Sequence, residues 1–228
     1  MTQPKPVQGQ RVLVTQADTF IGRALCEVLA GRGAEVVASA ELLAEPGAAE
    51  RVARAAGRVD VLMANLGIPA AATPAAEVGD AEWRDAFAAM VDPLPRLARV
   101  LLPAMIERRS GRILVLGRAA AVRGQNRSST YSAARGAQIA WAQAVGVEVA
   151  RHGVQVNALA CNFVDTPTYF PPEVQANPRF QERLRREVPP GRLVQAREVA
   201  EFAAHLCGDA AGCFVGQVFP VSGGWVVR

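Results

Sequence analysis

Tyr131 and Arg135 stand four residues apart in the stretch TYSAARG, Thr130 to Gly136. On a helix that spacing puts both side chains on one face. A guanidinium beside a phenol stabilises the phenolate and lowers a reference pKa of about 10. The pair could therefore supply a tyrosinate as general base. Arg is bulkier than Lys and cannot release a proton into a relay. The same spacing also arises by chance, with the Arg simply solvated. Other chemistries have little support. Cys26, Cys161, Cys207 and Cys213 are scattered without a CxxC pair, and His152 and His205 are the only histidines. No metal site is expected, and the thiols read as reduced cysteines of a cytoplasmic protein.

The elements that must position Tyr131 alternate in type. RVLVT (Arg11 to Thr15), EVVAS (Glu35 to Ser39), VDVLMAN (Val59 to Asn65), GRILVLG (Gly111 to Gly117), VQVNALA and GQVFPVSG read as strands. Helical patterns cover Arg23 to Gly33, roughly Asp80 to Arg108 and Thr130 to Arg151. Strands alternating with helices imply right-handed crossovers and a parallel sheet with helices on both faces. Only Ala40 to Arg58 separates the second strand from the third. That is a turn and one helix, too little for a further strand and helix as well, so one edge strand is expected to be missing. Pro167 to Pro190 is long and proline-bearing, the kind of segment that forms a functional lid or a disordered insertion.

The 228 residues suit one domain, 1–228, and half of them are apolar. No apolar run is long enough to span a membrane, and the N-terminal MTQPKPVQGQ has no apolar leader core. A net charge of +4, from 25 basic and 21 acidic residues, gives little support for nucleic-acid binding. The expected partner is a small molecule.

Taken together, VLVTQADTFIGRAL, VDVLMANLG, GRILVLG, YSAARGA, VQVNALA and GQVFPVSGGW resemble the short-chain dehydrogenase/reductase family over nearly the whole chain. The resemblance implies a single Rossmann-like, doubly wound α/β domain that assembles as a homotetramer, with helices around Trp141 and Val145 in the contact. The family's phosphate loop reads TGxxxGxG, and its glycines let backbone amides approach a pyrophosphate. Here Gln16 and Phe20 replace two of those glycines, and Asp18 adds a negative charge. A Phe20 ring would fill space a dinucleotide needs. After EVVAS only Glu41 offers a group for a ribose hydroxyl. The family's Lys, which also holds the nicotinamide ribose, is Arg135.

The pattern Thr15, Phe20, Gly22 with Tyr131 and Arg135 resembles the halohydrin dehalogenase branch, which uses no nucleotide. That resemblance implies no cofactor and a halide pocket in the nicotinamide region. Backbone amides around Asn162, Phe163 and Val164 would hold the halide or another small anion. Phe20 would form an apolar wall, and Tyr169 and Phe170 would close the pocket, although both could equally be lid packing. The implied activity is a lyase that converts vicinal haloalcohols to epoxides, with Tyr131 as base and Arg135 as its tuner.

One part of the pattern is missing. The family's oxygen-holding Ser lies thirteen residues before the Tyr, where this chain has Arg118. The family's helical Asn falls near Met90. Arg118 could donate to the substrate oxygen, bind an anionic substrate, or block the site. A buried guanidinium needs partners, so Arg118 is expected to be exposed or to have an anion nearby. Two other functions stay open: a divergent NAD(P)-dependent oxidoreductase, and a non-catalytic partner subunit of an active relative.

Overall fold

The computed structural model describes residues 7–227. The expectation of no leader, so far as it rests on residues 1–6, lies outside the described residues. The strands are β1 (Arg11–Thr15), β2 (Glu35–Ser39), β3 (Val61–Ala64), β4 (Gly111–Arg118), β5 (Val154–Cys161), two short ones, β6 (Val164–Asp165) and β7 (Val194–Gln195), and β8 (Val218–Val221). Six form one parallel sheet in the order β2-β1-β3-β4-β5-β8, and β6 pairs β7 apart from it.

Strand periodicity divides the core between the two faces. Leu13, Leu62, Ile113 and Val156 face one side, packed under α2 (Ala48–Ala56), α4 (Pro93–Glu107) and α5 (Ser129–Val149). Val12, Val14, Met63, Leu114 and Leu159 face the other, under α1 (Gly22–Gly31) and α8 (Ala196–Leu206). Between β2 and β3 the chain makes only α2, so β2 is itself the edge strand. The missing strand expected from the short Ala40 to Arg58 interval is absent among the described residues.

The helical pattern from Asp80 to Arg108 is two helices, not one: α3 (Asp80–Met90) and α4, broken at Val91 and Asp92. Pro93 has no N–H to bond back to Ala89. The Leu94 amide turns to the Val91 carbonyl, so it leaves the Met90 carbonyl free. That carbonyl matters for the site. The segment after Asp165 holds α6 (Pro172–Gln175) and α7 (Pro178–Glu187) and folds over the carboxyl ends of β4 and β5. No helix of the described residues is long and apolar enough to cross a membrane, and no group of three or more His, Cys, Asp or Glu there could hold a metal.

Candidate active site

Arg118 is the last residue of β4, paired in register with Cys161 at the end of β5. This is the carboxyl edge of a parallel sheet, where open α/β folds bind ligands. The α5 helix lies beside it and presents Tyr131, Arg135 and Gln138 on one buried face. All three are at most 5 % exposed, so Arg135 is not solvated. Its Nη1 donates to the Leu66 carbonyl at 2.7 Å, the Leu116 carbonyl at 3.3 Å and Gln138 Oε1 at 2.9 Å. Its guanidinium lies 5.0 Å from the centre of the Tyr131 ring. Among the described residues it has no carboxylate partner, so its charge is held by carbonyl dipoles and a π face.

The chain has two tyrosines, and their hydroxyls face each other at 3.4 Å. Tyr169 also donates to the Ile68 carbonyl at 3.2 Å. Their surroundings push them apart. Burial raises Tyr131, but the charges of Arg135 and then Arg118 outweigh it and leave the phenol below its ordinary value. Burial raises Tyr169, the charge of Tyr131 adds to this, and the arginines do not compensate. Tyr131 is therefore the phenol that ionises, and Tyr169 the one that keeps its proton.

Beside the pair is a cavity of about 30 Å³, lined by Phe20, Ile21, Asn65, Leu116, Gly117, Arg118, Arg135, Cys161, Val164, Thr166 and Tyr169. It has room for a water molecule or a small ion. No carboxylate lines it. The Thr166 hydroxyl and Arg135 Nε are buried without hydrogen-bond partners. Burial pushes the Cys161 thiol up to about 12, so it is no nucleophile.

Two expectations need correction. Phe163 and Phe170 do not line the cavity: they stack on each other at 5.9 Å beneath the lid, with Trp225 against Phe163 and Phe180 against Phe170. The Asn162 backbone amide is taken by the Val221 carbonyl at 3.1 Å and is not free for an anion. Val164 lines the cavity, and its strand pairs with β7 through the Phe163 carbonyl, which accepts from the Val194 amide at 2.8 Å. Arg118 has no carboxylate partner among the described residues. It lies half-buried 4.4 Å over the Tyr169 ring and donates to Asn162 Oδ1 at 3.3 Å, so a π face and an amide oxygen stand in for a carboxylate. Phe20, Arg118, Arg135, Val164 and Tyr169 thus meet at the cavity. Tyr131 reaches it only through Tyr169 and Arg135.

The loop from Gln16 to Gly22 keeps a backbone that favours glycine, although two of its glycine positions carry side chains. Gln16 and Phe20 sit at φ 44° and 51°, the left-handed region that favours glycine. A Cβ on Gly22 would come within 2.5 Å of the Gln16 carbonyl, so that glycine is required. The Gln16 side chain is 3 % exposed and accepts from the Gly67 amide at 2.9 Å. The Asn65 side chain ties the loop together from below, donating to the Gln16 and Thr19 carbonyls. The Phe20 ring presses on Gly67 and stacks on Tyr169 at 5.7 Å. Glu41 is already bound to Arg51. The residues present do not offer a dinucleotide the glycine-lined cradle of the family's loop, since Gln16 and Phe20 carry side chains at two of its glycine positions.

Residues 43–226 match a family model described as enoyl-(acyl carrier protein) reductase. The chain belongs to the short-chain dehydrogenase/reductase family. Within it, the 3-oxoacyl-(acyl-carrier-protein) reductase FabG of Escherichia coli is 30 % identical over 245 residues, covering 95 % of this chain and 97 % of the relative. A solved structure described as a dehalogenation enzyme superposes with TM-score 0.88 at 29 % identity, over 96 % of this chain and 99 % of that one. A halohydrin dehalogenase bound to ethyl (2S)-oxiran-2-ylacetate superposes with TM-score 0.86 at 26 % identity, over 96 % and 98 %.

Gln138 and Thr166 escaped the sequence reading. Gln138 had a usable signal, being polar on the helical face shared by Tyr131 and Arg135. Thr166 had none, because its place depends on how the lid segment folds back.

Proposed function

We propose that the protein is a cofactor-independent lyase of the halohydrin dehalogenase kind, forming epoxide and halide from a vicinal haloalcohol. The observation that carries this reading is the loop at Gln16 and Phe20. It retains the backbone turn of a phosphate loop while its side chains pack on Gly67, and the acidified Tyr131 remains beside it.

In this reading the Tyr169 hydroxyl marks the place of the substrate hydroxyl, 3.4 Å from Tyr131. Substrate entry displaces Tyr169 from Tyr131. Tyrosinate 131 takes the hydroxyl proton, and Arg118 donates to the developing alkoxide in place of the usual Ser. The oxygen forms a bond to the neighbouring carbon as the carbon–halogen bond breaks. Halide leaves with the electron pair into the cavity, between the apolar walls of Phe20 and Val164 and the donors of Arg118 and Thr166. In reverse, azide, cyanide or nitrite would open an epoxide. The enzyme would act in the cytoplasm as a homotetramer.

The test is bromide and chloride release, with epoxide appearance, from a panel of vicinal haloalcohols. The FabG relatives support a second reading, a nicotinamide-dependent reductase. NADPH oxidation with a 3-oxoacyl thioester and no halide release would favour it. Silence in both assays would favour a non-catalytic partner subunit.

A further inference from the structure

We propose that Gln138 is the positioning residue that fixes Arg135 beneath Tyr131. The amide is fully buried, and every polar atom it has is engaged. Oε1 accepts from Arg135 Nη1 at 2.9 Å. Nε2 donates to the Leu66 carbonyl at 3.1 Å and the Met90 carbonyl at 2.6 Å. Met90 ends α3 at the break before Pro93, and its carbonyl is free only because the helix stops there. Gln138 thus ties three elements to one cation: α5, the turn after β3 and the α3–α4 break.

The amide suits this task for a chemical reason. A carboxylate would neutralise Arg135 and cancel its effect on the phenol. An apolar residue would leave the buried Met90 carbonyl without its donor and the Leu66 carbonyl with Arg135 alone. The Met90 carbonyl would then draw the guanidinium toward the helix break and away from Tyr131. A neutral acceptor that also donates avoids both.

Three titratable groups face Tyr131 from the elements around it: Arg135 on α5, Arg118 on β4 and Tyr169 on the lid. No carboxylate is among them in the described residues. A change in the hold on Arg135 should therefore show directly in the ionisation of Tyr131.

The inference rests on Tyr131 being the base, but its test does not need turnover. Tyrosinate formation is followed by ultraviolet difference absorbance in a Tyr169→Phe background, where Tyr131 is the only phenol left. Gln138→Glu should raise the Tyr131 midpoint by at least about one pH unit, a tenfold loss of tyrosinate below the midpoint. Gln138→Met, neutral and similar in volume, should raise it by a smaller amount. If the Glu variant fails to fold, the Met variant decides alone. An unchanged Tyr131 midpoint in a folded variant, with only a lower melting temperature, would overturn the proposal and leave Gln138 a packing residue. If the midpoint moves but no haloalcohol is turned over by the parent protein, the lyase reading fails and the positioning role stands.

Discussion

Replacing Arg118 separates two things this residue does. Its guanidinium lies 4.4 Å over the Tyr169 ring, and the Tyr169 hydroxyl is 3.4 Å from that of Tyr131. Adding the reach of one phenol places the charge within about 10 Å of the Tyr131 oxygen. At an effective dielectric near 20, a unit charge at that distance is worth about 1.6 kcal/mol, or about one pKa unit. Arg118 stabilises phenolate, so removing it must raise the Tyr131 pKa. The tyrosinate-limited limb of the pH–rate profile should therefore move up by at least about one unit. The second effect is loss of a donor to the reacting oxygen, worth on the order of a hundredfold in rate.

Arg118→Ala should show both effects. Arg118→Ser should show the full pH displacement with a smaller loss of rate, because its hydroxyl restores one donor. The assay is halide release from a vicinal haloalcohol over a pH series. An unmoved pH limb in both variants would refute the electrostatic argument. A rate in Arg118→Ala equal to that of the parent would refute the donor role. A rise in rate in Arg118→Ser with the pH limb displaced would mean that the guanidinium obstructs the site while still tuning the base.

Tyr131→Phe should abolish halide release, at least a hundredfold below the parent, with the melting temperature little changed; retained turnover would remove Tyr131 from the chemistry. Calorimetric titration with the four nicotinamide nucleotides should give no micromolar binding, because Gln16 and Phe20 carry side chains at two glycine positions of the family's loop; such affinity for any one would contradict this reading. Light scattering should report a tetramer at micromolar concentration, since Trp83 and Val147 leave apolar surface on α3 and α5, and a monomer would count against it.

Most of the fold could be read in the sequence because its strands are short apolar runs with clean ends. RVLVT and EVVAS are strands with the predicted bounds, and the short interval after EVVAS foretold the lost edge strand. The α3–α4 break was hidden because helical periodicity continues across it; Pro93 was the clue, as an internal proline usually ends a helix. Within the site, spacing brought Tyr131 and Arg135 together because one helix carries both. Phe163 and Phe170 were harder. An aromatic near a pocket and one beneath a lid look alike in sequence, and their directions depend on Trp225 and Phe180, distant in the chain or beyond two turns. Arg118 is held without a carboxylate: the Tyr169 ring and the Asn162 amide oxygen serve it.

The turn at Gln16 and Phe20 joins these points. Two bulky residues held at left-handed φ cost of order 1 kcal/mol or more each. A turn chosen without history would place glycine there. The strain persists because each side chain is fixed elsewhere, Gln16 on the Gly67 amide and Phe20 between Gly67 and Tyr169. The backbone is thus that of a loop built to approach phosphates, while the side chains belong to a different site. Phe20 touches Tyr169, Tyr169 touches Tyr131, and Tyr131 sits on Arg135. The residue that replaces a phosphate-loop glycine is therefore in contact with the lid tyrosine that faces Tyr131. Phe20→Gly would relieve the backbone strain, but it would also remove the stack that holds Tyr169 against Tyr131. Its effect on Tyr131 ionisation should therefore exceed its effect on melting temperature.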